Sequence, residues 1–124
     1  MANEHRGEVE FKLKTPDGEP IEFIARPSFK VVADIERTLN QPIQMLFGKG
    51  MNRALGVSEI IVIAAIAAKH ADRPPAGADR DDFKEKIYDC GIVHLVNNVA
   101  VFLGNAITTG EPIKKGARET PKKN

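Results

Sequence analysis

The side chains best suited to chemistry in this 124-residue chain are three histidines, one cysteine and a short run of aspartates. His5, His70 and His94 are widely separated, and none stands in a metal-binding pattern such as His-Glu-x-x-His, where two imidazoles share one helix face. Cys90 falls in an otherwise apolar stretch beside Gly91, where a thiol behaves as a small inert hydrophobe. Gly48-Lys49-Gly50 lacks the Gly-x-x-x-x-Gly-Lys-Ser/Thr spacing that lets backbone amides cradle a phosphate. Asp79, Asp81 and Asp82 resemble the start of a calcium loop. That loop requires glycine at its sixth position and glutamate at its twelfth, and counting from Asp79 those positions hold Lys84 and Cys90. The aspartates are better placed to open a helix, against its positive N-terminal dipole. The expectation is a chain without catalytic residues, cofactor-binding residues or metal ligands, and so not an enzyme.

A different set of residues points to protein contact. From Cys90 to Gly110 the chain has no Asp, Glu, Lys or Arg. The spacing predicts a last helix over about 82–107, with Tyr88, Ile92, Leu95, Val99, Phe102 and Ala106 following one another at 4-3-4-3-4 spacing. On that helix His94, Asn97, Asn98, Val101 and Asn105 fall into one stripe, polar but without fixed charge. Solvent-facing helix surfaces are usually rich in Lys, Glu and Arg. The stripe is therefore read as the partner-binding element, facing another helix or a second copy of the chain; the alternative is a plain, weakly polar surface.

The elements that must position this stripe can be read from periodicity. Glu8-Val9-Glu10-Phe11-Lys12-Leu13-Lys14 alternates strictly, Pro16-Asp17-Gly18 is turn chemistry, and Ile21, Phe23 and Ala25 resume the alternation. A hairpin over 8–26 follows, and its apolar face needs a cover because isolated hairpins are marginal in water. The cover is expected to begin with a helix over 29–39, capped by Ser28 and carrying Val31, Val32, Ile35 and Leu39. A short helix over 42–47 starts at Pro42, and Gly48, Gly50 and Gly56 bracket an irregular connection. Ser58 is placed to cap a helix over 59–71 that is apolar on every side and must be surrounded. The fold class is thus α+β: an N-terminal β-hairpin packed on a small bundle of about four helices. Residues 1–110 form one domain, and 111–124 a flexible basic tail.

Composition narrows the partners. With 42% hydrophobic and 28% charged residues the chain has ordinary globular usage. Its formal charge of +1 creates no field drawing it to nucleic acid or membrane. The charge is uneven: 111–124 carries +3 and 1–110 carries −2. The basic tail leaves open a small nucleic-acid-binding regulator, since neutralised phosphates release counterions, but the cations lack interleaved aromatics. A single cysteine suits a reducing cytosol, residues 1–7 lack the apolar run of a secretory signal, and the uncharged segment is too rich in His and Asn for a membrane span.

Met1-Ala2-Asn3-Glu4-His5-Arg6-Gly7-Glu8-Val9, the charged hairpin, and Arg26-Pro27-Ser28-Phe29 leading into a helix with Ile35-Glu36 resemble the gene transfer agent tail family of alphaproteobacterial phages and prophages. The resemblance covers about residues 1–40 and the helical remainder in outline. Asn40 departs from it, standing where a glycine is expected after the first helix, and the basic tail is longer than the family's compact ending. What the resemblance implies is a phage tail morphogenesis protein, foremost a tail assembly chaperone that binds the tape measure and tail tube proteins. Such a protein acts in the cytoplasm of the bacterial host, or stays in the virion tail. The nearest alternative is a structural tail tube subunit, which would need many strands to build a ring wall.

Overall fold

The computed structural model describes residues 7–108, so His5 and the tail over 111–124 lie outside the described residues. Strand β1 (Val9–Lys14) and strand β2 (Pro20–Ala25) pair antiparallel as the alternation requires. The turn is closed by Gly18 N–H donating to the Thr15 carbonyl at 2.8 Å and by Thr15 N–H donating to the Glu19 carbonyl at 2.9 Å. Gly18 takes φ +91°, a conformation that side chains rarely adopt. Val9, Phe11 and Leu13 share the buried face with Ile21, Phe23 and Ala25. Phe11 and Phe23 sit directly opposite each other and stack with ring centroids 4.7 Å apart.

Helix α1 (Phe29–Leu39) begins where Ser28 Oγ accepts the Val31 N–H at 3.3 Å. It ends at Asn40, whose left-handed φ of 55° and N–H bond to the Glu36 carbonyl do the work expected of glycine. The departure at this position is therefore conservative in conformation. The cover of the hairpin differs from expectation: β1 packs on α5 (Val96–Ile107) and β2 on α3 (Val57–Lys69), whereas α1 packs mainly on α3. Central α3 is enclosed by α1, α4 (Phe83–Asp89), α5 and the sheet, which explains why it is apolar all round.

Helix α2 (Ile43–Met51) runs straight through Gly48 and Gly50, which had been expected to mark an irregular connection. Packing on α5 outweighs their low helix propensity: a Cβ on Gly50 would lie 3.7 Å from that of Ala100. The N-terminus of α2 is satisfied from α1, because Glu36 Oε2 accepts the Ile43 N–H at 2.7 Å. Helix α3 starts one residue before Ser58, with Gly56 as its cap position and Glu59 Oε1 reaching back to the Gly56 N–H at 2.8 Å.

The largest correction concerns the helix predicted over 82–107. It is two helices, α4 and α5, joined through Gly91 and a 3-10 turn over Ile92–His94 and bent by 93°. Gly91 has φ +103°, which no residue within an α-helix can hold. A straight helix could not lay both its halves on the one central helix. The bend lets Phe83 and Ile87 pack from α4 and Leu95, Val99, Phe102 and Leu103 from the other arm into a single core.

Candidate protein-contact surface

The predicted stripe survives the bend, but the structure divides it. His94 lies in the 3-10 turn and is exposed, as are Asn97 and Val101 on α5. Asn98 is half-buried, and its Nδ2 donates to the Glu10 carbonyl at 3.3 Å. Asn105 is only 8% exposed, and its Nδ2 donates to the Gly7 carbonyl at 3.1 Å. These two carboxamides tie α5 to the start of the hairpin, Asn98 at the Glu10 carbonyl of β1 and Asn105 at the buried Gly7 just before it. Asn105 is thus removed from the contact surface and Asn98 is engaged within the chain. The uncharged stripe does face protein, but along that side the protein is its own first strand.

What remains open is the other flank: His94, Asn97 and Val101, extended by Val93, which is 78% exposed. Val101 is 44% exposed and lies one turn beyond Asn97. Single exposed valines are ordinary. A strip bearing two of them, on a segment with no Asp, Glu, Lys or Arg of its own from Cys90 to Thr108, is the less ordinary feature, although at its His94 end Lys12, Lys14 and Glu22 of the hairpin lie close by.

Two charged clusters were not foreseen from sequence spacing. In the first, Asp34 Oδ2 lies 2.8 Å from His70 Nε2, tying α1 to the end of α3. Asp34 Oδ1 accepts from Arg37 at 3.0 Å and from the Thr38 hydroxyl at 3.3 Å. Burial opposes ionisation of Asp34, but the His70 hydrogen bond and the Lys69 and Arg37 charges outweigh it, leaving its carboxyl below the usual value. The one sequence signal is phase: Asp34 shares the buried face of α1 with Val31 and Ile35, and a carboxylate there must find partners. The Thr38 hydroxyl donates to Asp34 and not to the imidazole, so the trio lacks the nucleophile-to-base bond of a catalytic triad.

In the second cluster Glu59 Oε2 accepts from Lys49 Nζ at 2.9 Å and from Gln41 Nε2 at 2.7 Å. Lys49 Nζ also donates to Gln41 Oε1 at 2.8 Å. Lys49, Gln41 and the Gly56 N–H together hold the Glu59 carboxyl well down, at about 2. Lys49 therefore clamps α2 to α3.

Cys90 and His94 line the same shallow concavity beside Lys12, Lys14 and Glu22. Burial pushes the thiol up, with the Asp89 charge adding to it, the opposite of what activates a cysteine. Cys90 Sγ instead lies 3.2 Å from the Lys86 carbonyl, within its own helix. Asp82 takes the cap position of α4 and pairs with Arg80 at 3.4 Å. Among the described residues no three His, Cys, Asp or Glu side chains converge as a metal site, and no single helix is long and apolar enough to cross a membrane. No protein-family model, no curated protein and no solved structure matches the chain.

Proposed function

We propose that this chain is a tail assembly chaperone, which covers an apolar helix of the tape measure protein while a phage tail is built. The observation that carries the reading is the exposed uncharged flank formed by the 3-10 turn and α5, with Val93 of the turn and Val101 of the helix at 78% and 44% exposure and no charged residue in the chain between Cys90 and Thr108. Such a strip suits the apolar face of an amphipathic helix, which needs area without unpaired ions. The resemblance of residues 1–40 to the gene transfer agent tail family supplies the phage context. The two-stranded sheet among the described residues supports a chaperone over a tail tube subunit, whose ring wall would need many strands. Tail tube protein is the second partner of this reading, and its contact surface is left to the same experiment.

Val101→Glu tests it. On the free protein the new carboxylate faces water and costs within about 0.5 kcal/mol. Against a partner helix it would be desolvated and unpaired, at a cost of several kcal/mol. The expected outcome is loss of the tape measure protein in a pull-down, with circular dichroism and thermal midpoint unchanged. A folded variant that retains the tape measure protein at wild-type level would remove α5 from the interface.

A further inference from the structure

The two-stranded sheet has two edges, and α5 packs against the β1 side. The register pairs Lys14 with Pro20, Lys12 with Glu22 and Glu10 with Ile24. Because Thr15 and Glu19 are joined by a backbone bond, the alternation of an antiparallel ladder turns the N–H and C=O of residues 10, 12 and 14 outward on β1, and those of 22 and 24 outward on β2. Two positions agree with this. The Glu10 carbonyl is free to meet Asn98, and Pro20, which has no N–H, occupies an outward position. On the β1 side α5 packs against the strand and Asn98 meets the Glu10 carbonyl, while the outward groups of Lys12 and Lys14 have no hydrogen-bond partner among the described residues. On β2 the outward backbone groups of Glu22 and Ile24 have no hydrogen-bond partner among the described residues.

Edges that proteins keep single are usually guarded by rows of charged side chains, by proline, by bulges or by an inward-pointing ion, and of these β2 has Pro20 at its first position. The outer row of β2 is different: Glu22, Ile24 and Arg26 place an apolar residue between opposite charges. We infer that the open edge of β2 pairs antiparallel with β2 of a second copy, about a two-fold axis through Ile24, to make a continuous four-stranded sheet. In that register Ile24 meets its own equivalent, Glu22 of each copy meets Arg26 of the other, and Phe23 meets Ala25 along the buried row.

Other registers fit worse. Centring on Glu22 opposes two glutamates and sets Ile24 against Pro20, which cannot donate. Centring on Phe23 sets Arg26 against Pro20 and leaves Glu22 beside Ile24. Only the Ile24 register matches every charge and leaves Pro20 beyond the paired segment. Among the described residues the ion-pair partner of Arg26 is Asp72 at 3.8 Å, with side chains 44% and 72% exposed, so it can turn to a partner.

This surface is distinct from the α5 strip, so failure of one leaves the other standing. The test is a charge swap read by analytical ultracentrifugation over a dilution series at low salt. Wild type is expected to sediment as a dimer that dissociates on dilution. Glu22→Arg and Arg26→Glu are each expected to be monomeric, since each opposes like charges twice. Mixed together, the two variants are expected to form a heterodimer, and the double variant E22R/R26E to dimerise again. Recovery on mixing also proves that both singles are folded. Independently, amide exchange at Glu22 and Ile24 of the wild type should slow as concentration rises. A wild type that stays monomeric with fast exchange at both amides, single variants that remain dimers, or a mixture that does not reassociate would each overturn the pairing.

Discussion

Glu59 shows how much one side chain can carry. Its carboxylate caps the start of α3 through the Gly56 N–H and holds Lys49 and Gln41 from the α2 region, so three segments meet on two oxygens. The charged form is favoured, which places its carboxyl near about 2 instead of its ordinary 4.5. A depressed carboxylate stabilises the fold above its unfolded value and loses that contribution as pH falls through the folded value. Glu59→Gln keeps the shape and removes the charge, and is expected to cost about 1 kcal/mol at neutral pH, held down by the partial exposure of Lys49. Urea melts of both proteins from pH 7 downward check it: the gap should narrow between about 4.5 and about 2 and close below. A gap independent of pH would mean that shape, and not charge, is what the site uses.

At the scale of elements, glycines do opposite jobs. Gly91 makes the break between α4 and α5: its φ is +103°, and an added Cβ would sit 3.2 Å from His94 Cδ2. Gly48 lies inside α2 with nothing within 4 Å of where a Cβ would be. Gly91→Ala is therefore expected to destabilise by about 1–3 kcal/mol, the range of a side chain forced into a sparsely populated positive-φ conformation. Gly48→Ala is expected to stabilise by about 0.5–1 kcal/mol, through lower unfolded-chain entropy and better helix propensity. Thermal or urea melts of the pair suffice, and equal signs would contradict the element boundaries. The two cases also show what was legible. A glycine reads the same in sequence whether it breaks a helix or is overridden within one, and neighbours distant in the chain decide which.

For the whole molecule, the hairpin has no stability of its own and exists because α3 and α5 roof it. Phe11 is fully buried at the centre of that contact, stacked on Phe23. Phe11→Ala should cost about 3–5 kcal/mol, a large share of the roughly 5–15 kcal/mol of a typical domain. Because hairpin and helices share one core, the loss should appear as an earlier single transition in the helical circular dichroism signal. A shift within about 0.5 kcal/mol, or a separate early step with the helices intact, would show that sheet and bundle are independent.

Local chemistry was enough to determine the α+β class, the register-setting turn, the Ser28 cap, the all-apolar α3 and the stripe on the last helical segment. Each of these is written in residues a few positions apart, where period, turn propensity and capping act directly. The partners were decided in three dimensions. Nothing near Asn98 or Asn105 in the chain announces the carbonyls of Glu10 and Gly7 that they satisfy, nothing near Asp34 announces His70, and nothing near Gly48 announces the α5 surface that keeps α2 helical. The same uncharged stripe therefore reads as one face in the sequence and becomes two in the fold: an inner flank that bonds the Glu10 and Gly7 carbonyls, and an outer flank that is exposed. The reason is that buried polar groups must be paired somewhere, and which group does the pairing depends on what the chain brings back beside it.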